Sequence, residues 1–234
     1  MNANRTRMYS EAQTWNPFKG CNFDCSYCIP SFQLQAKRQM HNCSDCYSYA
    51  PHYHPERLTK IPSSEIVFVC GNGDIAFCKK SFVREIIQAI KEHNLRCPYK
   101  TYYFQSKRPE CFAPFLDEFP SNVILLMTLE TNRDEGYEQV SKTAPLPSER
   151  YQQFRSLAYS RKVVTVEPVM DFDLMVFSKW LIGLRPEHIY LGFNSRPKSV
   201  VLPEPSEAKV RSLMAKLSAK GIKVKGKELR GTEV

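Results

Sequence analysis

Three cysteines crowd one short stretch of this chain, Gly20-Cys21-Asn22-Phe23-Asp24-Cys25-Ser26-Tyr27-Cys28, with the spacing C-x3-C-x2-C. Thiolates so placed can bind three irons of a four-iron cluster, whose usual complement is four cysteines. The remaining iron then has no protein ligand, and an open iron calls for an exchangeable partner. A second group follows at Cys43 and Cys46, flanked by His41, His52 and His54. Its C-x2-C puts two thiolates on one knuckle, and the histidines are near enough to complete a tetrahedral zinc site of the Cys2His2 type. The same residues could instead hold a second iron-sulfur cluster, or be free cysteines with surface histidines. His52 and His54, beside Tyr47, Tyr49 and Tyr53, could also face a reaction chamber.

Such ligands need a rigid frame. Residues 12–15 read as a short first strand, broken by Asn16-Pro17 before the cysteine loop. Residues 31–40 have a helix-forming composition, and residues 41–60 read as an insertion, neither helix nor strand. Continuous apolar runs at 66–70 and 123–129 are buried parallel strands, joined by strands at 100–105, 163–166 and 189–193. Helices are expected between them at 81–93 (capped by Ser81), after Pro109, at 148–159 and at 174–184, and a last helix opens at Pro203 before a possible edge strand at 222–224. Six strand-helix alternations predict an α/β fold, a partial (βα)6 TIM-like barrel. Polar residues gather where strands end, which is where barrel enzymes place their chemistry. They are Gly71, Asn72, Gly73 and Asp74; Lys107 and Arg108; Glu130 and Arg133; Glu167 and Asp171; and Asn194 and Arg196. Lys107 and Arg108 could hold a carboxylate or a phosphate, and Glu167 and Asp171 could face a substrate.

The cysteine loop, with aromatic Tyr27 before its last cysteine and its place directly after a first strand, resembles the radical S-adenosylmethionine (radical SAM) superfamily. The resemblance covers about 14–193. It implies that Cys21, Cys25 and Cys28 hold a [4Fe-4S] cluster whose open iron chelates the amino and carboxylate groups of S-adenosyl-L-methionine. It also implies an electron donor such as flavodoxin or ferredoxin, cleavage of the sulfonium to a 5'-deoxyadenosyl radical, and hydrogen abstraction from a substrate. By the same resemblance the Gly71-Asn72-Gly73-Asp74 turn receives the cofactor's amino group, although the family's more familiar turn is Gly-Gly-Glu. Glu130 would meet a ribose hydroxyl and Arg133 the carboxylate, with Glu167 and Asn194 also on the cofactor side. Trp15-Asn16-Pro17, the segment from His54 to Leu58 and Lys107-Arg108-Pro109 look similar to a small phage- and prokaryote-associated subgroup distantly like spore photoproduct lyase.

With 234 residues and 42% hydrophobic content, one core suffices, so 1–234 reads as a single domain carrying the 41–60 insertion and a basic helix and tail at 203–234. The N-terminus lacks an apolar leader segment, and no apolar run approaches the roughly 18 residues of a membrane span. Nine cysteines is an odd number, and five of them fall in tight metal-type groupings, so a reducing, cytoplasmic setting is expected rather than a disulfide framework. The formal charge of +9 favours anionic partners such as nucleic acid. Lys209, Arg211, Lys216, Lys220, Lys223, Lys225, Lys227 and Arg230 make the C-terminal segment the candidate phosphate-facing surface. Two function classes follow: a radical enzyme acting on a nucleic-acid base or another substrate, and a non-catalytic zinc or iron-sulfur module that binds nucleic acid.

Overall fold

Strand residues that are buried on both faces must form the centre of a layered structure, and this chain has five such strands in succession. The computed structural model describes residues 9–226. Its strands are β1 (Ala12–Trp15), β2 (Phe18–Lys19), β3 (His52–Tyr53), β4 (Ile66–Val69), β5 (Thr101–Ser106), β6 (Val123–Thr128), β7 (Lys162–Val166), β8 (His188–Leu191) and β9 (Lys223–Gly226). Seven of them form one sheet in the order β1-β4-β5-β6-β7-β8-β9, and every pairing is parallel. β2 and β3 make a separate antiparallel pair.

Helices are α1 (Leu34–Ala36), α2 (Ser44–Ser48), α3 (Lys80–Asn94), α4 (Pro147–Ser156), α5 (Leu174–Gly183) and α6 (Glu207–Ser218). In α3, Phe82, Val83, Ile86, Ile87 and Ile90 are buried, the stripe expected of a helix that covers a sheet. They meet Val67, Val69, Tyr102 and Phe104 in the main core. Alternation along the strands turns Phe68, Tyr103, Ile124, Leu126, Val163 and Tyr190 to the other face, where they form a second cluster. The Tyr9 ring stacks on Phe68 of β4 at 4.8 Å and meets Tyr190 of β8 edge-on at 4.7 Å. One ring touching strands that far apart in the sheet order requires the sheet to curl, and the concave face is the inside of a partial barrel.

Several expected elements differ. The segment 31–40 is no regular helix: a π turn (Ile29–Gln33), the short α1 and a 3-10 turn (Lys37–Gln39) follow one another. Ile29, Phe32 and Leu34 stay exposed, so no apolar stripe packs the segment into a continuous helix. The insertion, in turn, contains α2 and β3. α3 starts at Lys80, which leaves Ser81 inside its first turn. The chain after Pro109 is a 3-10 helix (Pro109–Phe115). The last helix starts at Glu207, where the Ser206 hydroxyl accepts from Lys209 N. Pro203 does not open it, because its carbonyl accepts from Asp171 N and keeps it in the preceding loop. The sheet has a seventh strand, β9, at the expected edge. Lys227 and Arg230 of the basic segment lie outside the described residues. Among the described residues no helix is long and apolar enough to cross a membrane.

Candidate active site and metal centre

The cysteine loop is fastened on two sides before any ligand is considered. At its start Gly20, with φ +92°, donates N–H to Asn72 O and accepts from Asp74 N. Gly73 lies so close that a Cβ there would sit 2.7 Å from Gly20 O. Gly73 is therefore required first by packing against the loop, whereas a Cβ on Gly71 would meet the side chains of Phe68 and Thr14. On the other side Ser26 N donates to Val140 O, the Ser141 hydroxyl to Phe23 O, and the Thr143 hydroxyl to Asn22 O. Phe23 is fully buried against Phe77, with the Arg108 guanidinium over its ring at 5.3 Å. Cys28 N closes a tight turn onto Cys25 O at 2.8 Å.

Cys21, Cys25 and Cys28 thereby line one cavity of about 140 Å³, together with Tyr27, Gly71, Gly73 and Asp74. The period of two along the strands supplies the opposite wall. Tyr103, Leu126 and Val163 point into the barrel, so Gln105 and Lys107, Thr128 and Glu130, and Thr165 and Glu167 continue the same face beyond them. All but Glu130 of these polar residues line the cavity. Tyr9 and Phe32 line it too and were not expected there from the sequence, as does Tyr49, one of the tyrosines named beside the histidines. The Tyr9 hydroxyl bonds Thr165 at 2.7 Å and Gln105 at 3.1 Å.

Beside the cavity, Glu130 is fully buried. Its carboxylate pairs with Lys107 Nζ and with Arg150 Nη1 (2.7 Å), and it accepts from the hydroxyls of Tyr27 (2.5 Å) and Tyr137 (3.2 Å). Burial alone would raise its pKa, but Arg150 and Lys107 outweigh burial and hold the carboxyl well below the usual range. Burial likewise works against charge on Lys107, and Glu130 reverses it, so the ammonium stays protonated. In this cluster one carboxylate is set against two cations, while Asp24, Asp74 and Glu167 line the cavity itself beside Lys107. The Cys25 thiol is lowered to about 7, chiefly by its hydrogen bond with Cys28 against the opposing effect of burial, and Lys107 adds to the lowering; the Cys28 thiol is raised, chiefly by the same bond with burial adding, and the Cys21 thiol is raised by burial with Asp74 adding. Three thiols on one cavity wall, with the Lys107 ammonium on the same cavity, are a donor set that fits an iron-sulfur group.

Of the remaining expected residues, Asn72, Arg133 and Asn194 are placed elsewhere, and Asp74 on the wall is held by its own bonds. Asn72 does not line the cavity; its N–H goes to Asn16 Oδ1 and its carbonyl to Gly20. Arg133 is half exposed and pairs at 2.5 Å with Asp171, which also binds Lys209 at 2.7 Å. Asn194 donates its side-chain amide to Val200 O and shapes the loop after β8. Asp74 caps the 3-10 turn Ile75–Phe77 and accepts from Ser106 Oγ and Lys107 N. Burial raises its pKa against those bonds.

In the insertion, the Sγ atoms of Cys43 and Cys46 and ring nitrogens of His52 and His54 all lie within 4.8 Å of one another. Local structure explains the convergence. Cys43 caps α2, so one helical turn brings Cys46 beside it, and Tyr49, at φ +60°, ends the helix. β3 then sets His52 and His54 on one face. Nδ1 of His52 bonds Ala50 O at 2.6 Å and Nδ1 of His54 bonds Glu56 at 3.1 Å, which aims both Nε2 atoms at Cys46 Sγ (3.1 and 3.3 Å). Backbone or carboxylate partners behind ligating imidazoles are the usual second layer of a metal site. His54 is lowered by burial, with Arg57 and His52 adding to it, which favours the neutral, ligating imidazole. His41 is exposed and outside the group.

Comparison with known proteins gives no matching family model and no matching curated protein. Solved structures do match. A radical SAM methyltransferase from Sphaerobacter thermophilus is 17% identical with a TM-score of 0.61, over 91% of this chain and 64% of that one. Spore photoproduct lyase complexed with dinucleoside spore photoproduct is 12% identical with a TM-score of 0.54, over 88% of this chain and 60% of that one. Streptococcus suis SuiB bound to precursor peptide SuiA is 9% identical with a TM-score of 0.57, over 92% and 49%. The match thus spans only 60% of the lyase's length. In its curled parallel sheet, with the cysteine loop directly after the first strands, the structure matches the fold of the radical SAM superfamily.

Proposed function

We propose that the protein is a radical SAM enzyme in which Cys21, Cys25 and Cys28 hold a [4Fe-4S] cluster and the adjoining cavity takes S-adenosyl-L-methionine. The observation that carries this reading is the convergence of the three thiols, the Gly71–Gly73 turn, Lys107 and Glu167 on one cavity. When bound and reduced, by a donor such as flavodoxin or ferredoxin, the cluster supplies the electron that cleaves the sulfonium to methionine and a 5'-deoxyadenosyl radical. Lys107, charged and on the wall, is the cation placed for the cofactor's carboxylate; Arg133, tied to Asp171, lies outside. Glu130 acts through Lys107 and Tyr27 as a positioning residue. Glu167 is the wall carboxylate placed to accept from ribose hydroxyls, and Tyr9, Gln105 and Thr165 form a polar floor. The insertion's Cys2His2 group adds a zinc ion. The cytoplasm, where thiols stay reduced, is the setting this chemistry needs.

After anaerobic reconstitution with iron and sulfide, the reduced protein is expected to convert S-adenosylmethionine to 5'-deoxyadenosine, and Cys25→Ala to lose that activity. Wild-type protein that makes no more product than the variant would leave a non-catalytic metal module as the surviving account.

The substrate we favour is a nucleic-acid base. Support comes from the +9 charge and from the dinucleoside bound by the similar lyase. Oligonucleotide binding should weaken steeply between low and moderate salt, because cations on the protein displace counterions from phosphates. Binding that ignores salt, or no binding, would point to a small molecule or peptide.

A further inference from the structure

We infer that the zinc ion at Cys43, Cys46, His52 and His54 is the clamp that holds the first half of the cluster loop in place. The inference rests on the reading of Cys21–Cys28 as that loop and on zinc as the insertion's ion. Four protein donors leave no open coordination position, which is the mark of a structural and not a catalytic zinc site.

The link between the two centres is short and covalently continuous. Lys19 of β2 pairs in register with His52 of β3, and Gly20 is the next residue. His54 N donates to Pro17 O at 2.6 Å and Cys21 N to Tyr49 O at 3.3 Å, so the loop's entry is bonded to the ligand segment between its cysteines and histidines and again at its last ligand. A Cβ on Gly20 would lie 2.0 Å from Ala50 O, which shows how closely the two backbones approach. Tyr49, between Cys46 and His52, also lines the cluster cavity.

A two-residue ladder such as β2–β3 cannot stand by itself in water. The ligand group makes matters worse when empty. Two imidazole Nε2 atoms lie 2.9 Å apart with Cys46 Sγ within 3.3 Å of both, and the nearby Lys19 Nζ, 3.1 Å from that sulfur, is a single cation for several converging lone pairs. A divalent ion at their centre turns the crowding into four bonds, and the energy of those bonds becomes folding energy of the hairpin.

The test uses aerobically purified, iron-free protein. Elemental analysis is expected to give a single zinc per chain, and cobalt substitution to give the absorption of a tetrahedral thiolate site. Hydrogen exchange of residues 18–28 is expected to quicken by about tenfold when a chelator strips the zinc, and to slow again on refilling. Cys43→Ser keeps an oxygen acceptor at the cap of α2 yet should lose zinc and show the fast exchange. No bound zinc, or iron in its place, overturns the assignment. Bound zinc whose removal leaves exchange at 18–28 unchanged overturns the clamp. Neither measurement needs the cluster or turnover, so a failure here is distinct from a failure of the 5'-deoxyadenosine assay.

Discussion

Glu130→Ala should lower the free energy of unfolding by about 3–5 kcal/mol, the cost of breaking a buried ion pair by removing one partner. The variant leaves Lys107 and Arg150 as buried cations with no carboxylate between them, and Arg150 already has Nε and Nη2 without partners. It also leaves the hydroxyls of Tyr27 and Tyr137 without their acceptor. For a domain of this size the loss corresponds to roughly 10 °C in melting temperature. Glu130→Gln keeps the shape and one acceptor but not the charge, and should fall between the two. The pH dependence has a definite sign. Glu130 is depressed in the folded state, so its contribution is complete above the unfolded value of about 4.3 and is lost as pH falls toward the folded value. Denaturant titrations of wild type and Glu130→Gln between neutral pH and pH ~3 should therefore converge as the pH drops. Parallel curves would show that the charge does not carry the stability.

Gly20→Ala is the second large effect. The residue has φ +92°, where a side chain is strained, and the new Cβ would lie 2.0 Å from Ala50 O and 2.5 Å from Pro51 N. The obstacle is backbone on the neighbouring segment, so no rotamer change relieves it. Strain and overpacking together should cost on the order of 3 kcal/mol. The diagnostic consequence is local: the 49–54 segment must move away from 18–21, which separates Cys21 N from Tyr49 O. Iron bound after reconstitution should fall by more than the loss in global stability explains. Gly136→Ala is the control, since Gly136 also has positive φ but no atom within 4 Å of its Cβ position. If both variants lose iron equally, close approach at Gly20 is not what matters.

The convergence of Cys21, Cys25 and Cys28 was legible because the three thiols lie within one short stretch of chain, where spacing alone brings them together. Strands β4 to β8 were legible because burial on both faces demands continuous apolar runs. Lys107 and Glu167 could be found at strand exits for the same reason. Arg150 could not: it is on α4, and nothing in a helical pattern says that one arginine turns inward to a carboxylate twenty residues earlier in sequence. The choice of His52 and His54 over His41 depended on a two-residue strand that no periodicity can reveal. Residues 31–40 looked helical because composition reports propensity, whereas a regular helix needs an apolar stripe to pack, and Leu34 stays exposed while Phe32 only borders the cavity. Arg133, placed by its position after a strand, was captured by Asp171 from the next strand exit, a pairing set by tertiary structure.

The bonds from Val140, Ser141 and Thr143 to the cysteine loop join residues that leave the ribosome far apart in time. The four residues of the proposed zinc site, by contrast, all belong to residues 43–54, and the strand pair they close needs only the chain from Phe18. On the proposed assignments a nascent chain can thus complete its zinc centre early, while the cysteine loop stays open on one flank until residue 143 has been made. With the two centres occupied as proposed, the topology would order their loading: zinc first, with the thiols of Cys21, Cys25 and Cys28 still accessible to whatever delivers iron, and the outer flank closing over them last.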